Sequence, residues 1–332
     1  MYLPQFKYLK PGTVAEAVAM LSEYQGGAGV IAGGSDLIVK LKHQIVNLRY
    51  VVDLKGISNL YGIVSRADEM EIGALTKLSA IESSPEILNK ALLLAQAASV
   101  VGGPQHRSMG TLGGNLCLDT RCYYFNQSKR WRQSRPPCYK TGGDRCYVAA
   151  KSPMCHAVYS GDTAPALIAL GARVRIVGPE GEREQELELL YSGNGKRPIN
   201  LDAQSIITSV IIPISPPYAG HAYEKYRLRE AVDFPVVGAA VALSFEQPGG
   251  VCTRARIVLN AVGTAPSRVE EAEKSLLGRK LEEALEEAAE LAYQSARPIH
   301  RMGGSPYYKK KLVKVLTRRA LEKAGSMAIG NV

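Results

Sequence analysis

Four cysteines crowd into one stretch of the chain, Cys122, Cys138, Cys146 and Cys155, in the pattern C-x15-C-x7-C-x8-C. Thiols gathered this way pair as disulfides, grip a soft metal ion such as zinc, or hold an iron–sulfur cluster. The close C-x2-C pairs usual in zinc modules do not occur here. Two glycine-rich turns offer a second chemistry. One is Ile31-Ala32-Gly33-Gly34-Ser35-Asp36, and the other, Gly110-Thr111-Leu112-Gly113-Gly114-Asn115, comes just before the cysteines. Paired glycines let a backbone bend tightly and present N–H groups to an anion such as a pyrophosphate. Ser35, Thr111 and Asn115 add hydroxyl or amide contacts for phosphate or ribityl oxygens. Neither turn matches the dinucleotide fingerprint G-x-G-x-x-G or a P-loop.

The elements that must position these residues follow from local pattern. Thr13 and Glu16 form a capping box ahead of a helix with Ala17, Val18, Met20 and Leu21 at helical spacing. Gly29–Ala32 reads as a short apolar run, after which Ser35 or Asp36 caps a helix reaching Leu41. Strands are expected at Tyr50–Leu54, Met70–Ala74, Val174–Val177 and Ile206–Ile212, with a turn at Gly178–Gly181 and one helix over Pro85–Val101. Pro213–Gly220 carries three prolines and sets a domain boundary. Beyond it lie strands Ala222–Leu228, Val236–Phe245 and Ala255–Ala261, then helices Leu281–Ala296 and Tyr307–Lys323, an α+β order.

A chain of 332 residues has room for about two domains, at roughly 100–200 residues each. No stretch approaches the ~18 uninterrupted apolar residues of a membrane span. Met1–Lys7 lacks the apolar core of a secretory signal, so the expected location is cytoplasmic and no membrane partner is expected. In that compartment thiols stay reduced, which ranks ligand duty above disulfides. The formal charge of +10 suits an acidic partner, but no helix-turn-helix, finger or RNA-binding signature points to nucleic acid. His106 and His156, flanking the loop, are read as structural, and Cys252 as a core thiol.

Taken together, Ala32–Asp36, Thr111–Asn115 and Ser160–Leu167 resemble the flavin subunit of the xanthine oxidase family of molybdenum hydroxylases, the medium subunit of bacterial carbon monoxide dehydrogenases. The resemblance runs on through Ile206–Pro213, Lys225 and Val232-Asp233-Phe234-Pro235, and so covers nearly the whole chain. It implies an α+β fold: a two-part FAD-binding domain over 1–213, then a smaller C-terminal α+β domain over 218–325. It also implies FAD held by Ile31, Ala32, Gly33, Gly34, Ser35 and Asp36 around the pyrophosphate. Thr111, Gly114 and Asn115 would take the ribityl–phosphate side, and Asp162 a sugar hydroxyl. Val101, Ile207 and Lys225 match further flavin-contact positions. Val101 stands where some members carry an aromatic ring, and no glycine-rich nicotinamide motif is present.

In most of the family one short step joins the two halves of this pattern; here a loop of about 116–159 intervenes. Its cysteine spacing resembles the β subunit of 4-hydroxybenzoyl-CoA reductase, implying a 4Fe-4S cluster on Cys122, Cys138, Cys146 and Cys155, with Cys117 an alternative to Cys122. Tyr123, Tyr124, Phe125, Trp131, Tyr139 and Tyr147 are expected to pack around it. The implied role is electron transfer from ferredoxin through the cluster and FAD to a small 2Fe-2S subunit and a molybdopterin-bearing large subunit. Lys129, Arg130, Arg132, Arg135, Lys140 and Arg145 form the expected donor-facing surface. The rivals are an oxidising hydroxylase subunit that passes electrons to NAD or another acceptor, and a zinc-stapled binding module with no enzymatic role.

Overall fold

The computed structural model of the chain describes residues 2–300 and 303–330. Three sheets carry the fold. The first is parallel, in the order β1-β3-β2, from β1 (Lys7–Leu9), β2 (Ala28–Ile31) and β3 (Tyr50–Asp53). Helix α1 (Val14–Glu23) starts where the Thr13 side chain accepts the Glu16 N–H, and it buries Ala17, Val18 and Leu21. The short α2 (Leu37–Lys42) follows β2 directly, so the first glycine turn is its entry.

The second sheet is antiparallel, in the order β4-β5-β8-β6-β7. Its strands are β4 (Ile63–Ser65), β5 (Glu69–Gly73), β6 (Arg173–Gly178), β7 (Gly181–Glu186) and β8 (Ile206–Pro213). Met70 faces Ile212 and Val174 faces Val210 across β8, which puts fully buried aliphatics in register at the sheet centre. Between β5 and β6 the chain forms α3 (Leu78–Ser83), α4 (Pro85–Lys90), α5 (Leu92–Ser99), α6 (Pro104–Met109) and α7 (Leu112–Leu116). The single helix expected over Pro85–Val101 is thus two, separated at Ala91, whose φ of −142° leaves the helical region. A loop with one short helix, α8 (Lys129–Gln133), then leads to α9 (Thr163–Leu170).

Every residue of α9 is buried. A helix apolar all round has to be a core helix, and α9 packs against α5, β8 and the third sheet. Leu167, Ile168 and Leu170 each contribute about 1.5–3 kcal/mol by leaving water. The third sheet, β12-β11-β10-β9, is antiparallel, from β9 (Ala219–Tyr226), β10 (Val237–Phe245), β11 (Cys252–Asn260) and β12 (Ser267–Arg268). Helices α10 (Glu270–Leu276), α11 (Leu281–Ser295) and α12 (Pro306–Ala328) complete this layer. Ala284, Ala288 and Ala292 recur every four residues along α11, and α12 packs against it. No helix among the described residues is long and apolar enough to cross a membrane.

Candidate functional site

The two glycine turns meet backbone to backbone. A Cβ on Gly33 would collide with the Met109 carbonyl oxygen, so only glycine allows this approach. Gly34 turns at φ +75°, a left-handed conformation that favours glycine. Thr111 Oγ1 accepts the Gly114 N–H at 3.2 Å and fixes the start of α7. Among the described residues no protein acceptor takes the N–H groups of Gly33, Gly34 or Ser35. An anion is the natural partner for such a row of donors.

Around these turns lie two cavities of about 390 and 330 Å³ that share Ser35, Asp36, Gly110, Thr111 and Gly114 as a common wall. They form two lobes of one groove, in the size range of cofactor sites, about 300–1,000 Å³. Ala32, Gly33, Gly34 and Ile207 line the first lobe, whereas Val101, Asn115 and Asp162 line the second. Ser205, on the wall of the first lobe, has a buried hydroxyl with no protein partner, a donor that a polar ligand would satisfy. These features fit a dinucleotide such as FAD. Two expected residues stand behind the walls. Ile31 is a core side chain under Gly34, and Lys225 Nζ donates to the Val100 carbonyl at 2.8 Å and pairs with Asp162 at 2.9 Å.

Asp162 is held hard. Its Oδ1 accepts from Tyr223 Oη at 2.8 Å and its Oδ2 from Lys225. Burial pushes its carboxyl up from the ordinary value, and Lys225 and Tyr223 pull it back toward the ionised form. Asn260 Nδ2 bonds both the Gly161 carbonyl and Tyr223 Oη, so β11 helps to set this corner. Asn115 Oδ1 accepts the N–H and the hydroxyl of Thr163 at 3.2 and 2.7 Å, joining the second glycine turn to the start of α9 across 48 residues of sequence.

Asp36 heads α2 but makes no capping bond; it pairs instead with Lys40 at 2.8 Å and with Arg121. Burial opposes its ionisation, yet the two cations outweigh it and hold the carboxyl below its ordinary value. Lys40 could have been suspected from its place four residues after Asp36; nothing local marks Arg121 or Ser205. Cys117 opens onto the first lobe and is exposed there. It lies away from the other loop cysteines.

Those four come together. Cys122, Cys138, Cys146 and Cys155 all border one small pocket, with Tyr124, Phe125, Tyr139, Tyr147 and Lys140. Sulfur receives backbone and hydroxyl hydrogens: Ala157 N–H on Cys155 at 3.5 Å and Thr141 Oγ1 on Cys138 at 3.6 Å. Burial pushes the Cys122 and Cys155 thiols up. Among the described residues no three Cys, His, Asp or Glu side chains stand where they could hold one metal ion. Tyr123 and Trp131 lie outside the pocket and meet edge to face at 5.8 Å, with Arg135 over Trp131 at 4.1 Å. Of the expected donor-facing cations, Lys129, Arg130, Arg135 and Arg145 are exposed. Arg132 donates to the carbonyls of Gln44 (2.6 Å) and His43, and the Lys140 side chain is nearly buried.

Residues 4–215 match the family model described as the FAD binding domain in molybdopterin dehydrogenase, and residues 221–324 the CO dehydrogenase flavoprotein C-terminal domain. The carbon monoxide dehydrogenase medium chain of Afipia carboxidovorans is 31% identical over 97% of this chain and 98% of its own. The nicotinate dehydrogenase FAD-subunit of Eubacterium barkeri is 28% identical over 94% of this chain and 93% of its own. The solved carbon monoxide dehydrogenase of Hydrogenophaga pseudoflava superposes with a TM-score of 0.81 at 27% identity, covering 98% of both chains. The chain belongs to the FAD-binding medium subunits of the molybdenum hydroxylase family.

Proposed function

We propose that this FAD-binding medium subunit also carries a 4Fe-4S cluster and serves a molybdenum-dependent reductase of the 4-hydroxybenzoyl-CoA reductase type, with ferredoxin as electron donor. The observation that carries the reading is the convergence of Cys122, Cys138, Cys146 and Cys155 on one pocket. Four thiols around one pocket supply the four ligands that a 4Fe-4S cluster takes, and zinc would bring no electrons to a flavin subunit. FAD exchanges one or two electrons and can therefore link one-electron centres on either side of it.

The residues of this chain bind and insulate. Gly33, Gly34 and Ser35 offer their N–H groups to the pyrophosphate; Asp162, paired with Lys225, has lone pairs left for a sugar hydroxyl. The Tyr124, Phe125, Tyr139 and Tyr147 rings exclude water from the cysteine pocket. The partners proposed are a molybdopterin-bearing large subunit and a small 2Fe-2S subunit, since the relatives are named as a medium chain and an FAD-subunit.

The test is iron, acid-labile sulfide, zinc and flavin analysis of anaerobically purified protein. About four iron and four sulfide per FAD are expected; zinc without sulfide overturns the reading. A second reading, an oxidising subunit that passes electrons to NAD or another acceptor, draws on the dehydrogenase names of the relatives. It would be favoured if NADH reduced the flavin efficiently after the cysteine pocket had been emptied.

A further inference from the structure

A ladder of alternating charge joins the two sites. Lys140, on the wall of the cysteine pocket, pairs with Asp119 at 2.6 Å; Asp119 reaches Lys40 at 3.8 Å. Lys40 pairs with Asp36 at 2.8 Å, and Asp36 with Arg121. Lys40, Asp36 and Arg121 are themselves walls of the flavin groove. The three cations are the best buried members, their side chains 4%, 12% and 14% exposed for Lys140, Lys40 and Arg121. Three positive and two negative groups leave the ladder net positive, beside a groove fitted to an anionic dinucleotide.

Both ends of the ladder are tied to cysteines. Arg121 immediately precedes Cys122, and its main chain is clamped to Val158 by N–H···O bonds of 2.7 and 2.9 Å. Lys140 stands two residues after Cys138. Arg121 also lies over the Phe234 ring at 4.8 Å, and its Nε is buried without an acceptor. The guanidinium on the groove wall carries five N–H donors, of which the contact to Asp36 uses only part. Whatever fixes Cys122 and Cys138 therefore fixes the two loop cations that this ladder presents.

We propose that filling the cysteine pocket preorganises Arg121 on the wall of the flavin groove, so that FAD binds more tightly to the metal-filled protein than to the empty one. Arg121 is in this sense a positioning residue contributed by the insertion to the flavin site. The inference rests on the reading of the groove as an FAD site and of the cysteine pocket as a metal site. Linkage makes the effect reciprocal: bound FAD raises metal affinity by the same factor.

The experiment uses the full chain with its co-purifying subunits. Metal, sulfide and flavin contents of the starting material test the underlying reading by themselves. FAD affinity is then measured by flavin fluorescence on metal-filled protein and on the same protein after anaerobic chelation. At least about fivefold weaker FAD binding is expected after chelation, the lower end of typical couplings. Arg121→Met should keep its iron yet bind FAD as weakly as the chelated wild type, with no further loss on chelation. Should that variant not fold, Asp119→Asn, nearly isosteric, cuts the ladder in the middle and should shrink the difference at least about twofold. Equal FAD affinity in filled and chelated wild type, or an undiminished difference in the variants, overturns the inference while leaving both sites standing.

Discussion

The flavin groove and the cysteine pocket are neighbours built on opposite principles. The groove is made of main chain at the ends of regular elements: the entry to α2, the entry to α7 and the start of α9, locked by backbone contact at Gly33 and by Asn115. The pocket is made of side chains on a loop whose regular structure is limited to α8 and a single turn of 3-10 helix. Rings packed tilted or edge-on against rings and cations over rings hold that loop, together with Arg132 bonded to the carbonyls of His43 and Gln44. A site of the first kind exists before its ligand arrives. One of the second kind gains much of its order from the occupant, because few main-chain bonds fix it.

The contrast can be broken most directly at Gly33. Gly33→Val forces the Met109 backbone away, and bound FAD is expected to fall below about a tenth of the wild-type level in flavin analysis, while iron is kept. Near-normal FAD would mean that the groove is not preformed. At the pocket, Cys146→Ser should remove nearly all iron yet move thermal unfolding by less than about 3 °C, since this loop lies outside the main core clusters. Large destabilisation by that change would erase the distinction. Lys225→Met probes how rigidly the groove is set: it strands a buried Asp162 and should cost about 3–5 kcal/mol in denaturant unfolding.

Acid sharpens the comparison from outside both sites. His221, on β9, is buried against Ser215, and burial followed by Arg254 lowers its pKa to about 4 from an ordinary 6.5. The unfolded chain takes up this proton first, so its stabilising share is whole above pH 6.5 and lost as pH falls through about 4. The loss amounts to about 3 kcal/mol, to be read from urea unfolding at pH 7 and pH 4 against His221→Asn. The ion pair at Asp36 should outlast it, because that carboxyl is held below its ordinary value. The smallest effect expected is kinetic. Reversing charge at Lys129 and Arg130, the outward cations of α8, should slow reduction by an acidic ferredoxin a few-fold at low salt and leave reduction by a neutral dye unchanged.

What the sequence disclosed divides along the same line. The glycine turns were legible because glycine at a tight approach is a local requirement, and the central strands because Val and Ile repeat there. Strand β7 was not: Gly181–Glu186 has no apolar alternation and forms at the sheet edge with its acids paired to Arg173 and Arg175. The break at Ala91 carries no proline or glycine to announce it. At the sites, cysteine spacing pointed to a shared pocket, but the ladder depends on long-range pairs, Arg121 with Asp36 85 residues away and Lys40 with Asp119. Such pairs leave no periodic trace. The same is true of Tyr223 and Asn260, which reach Asp162 and its neighbour Gly161 from another sheet.

The bridge between Arg121 and Val158 has an architectural consequence. The loop departs and returns through one paired doorway, and Asn115 already grips Thr163 behind it. Residues 122–157 are in effect an appliance plugged into a socket: a short hairpin connection could replace them with the main-chain walls of the flavin groove left in place, at the loss of Lys140 and of the tighter flavin binding proposed for the filled pocket. Conversely, the same stem offers a mounting point for transplanting a cysteine-lined pocket into a medium subunit that lacks one.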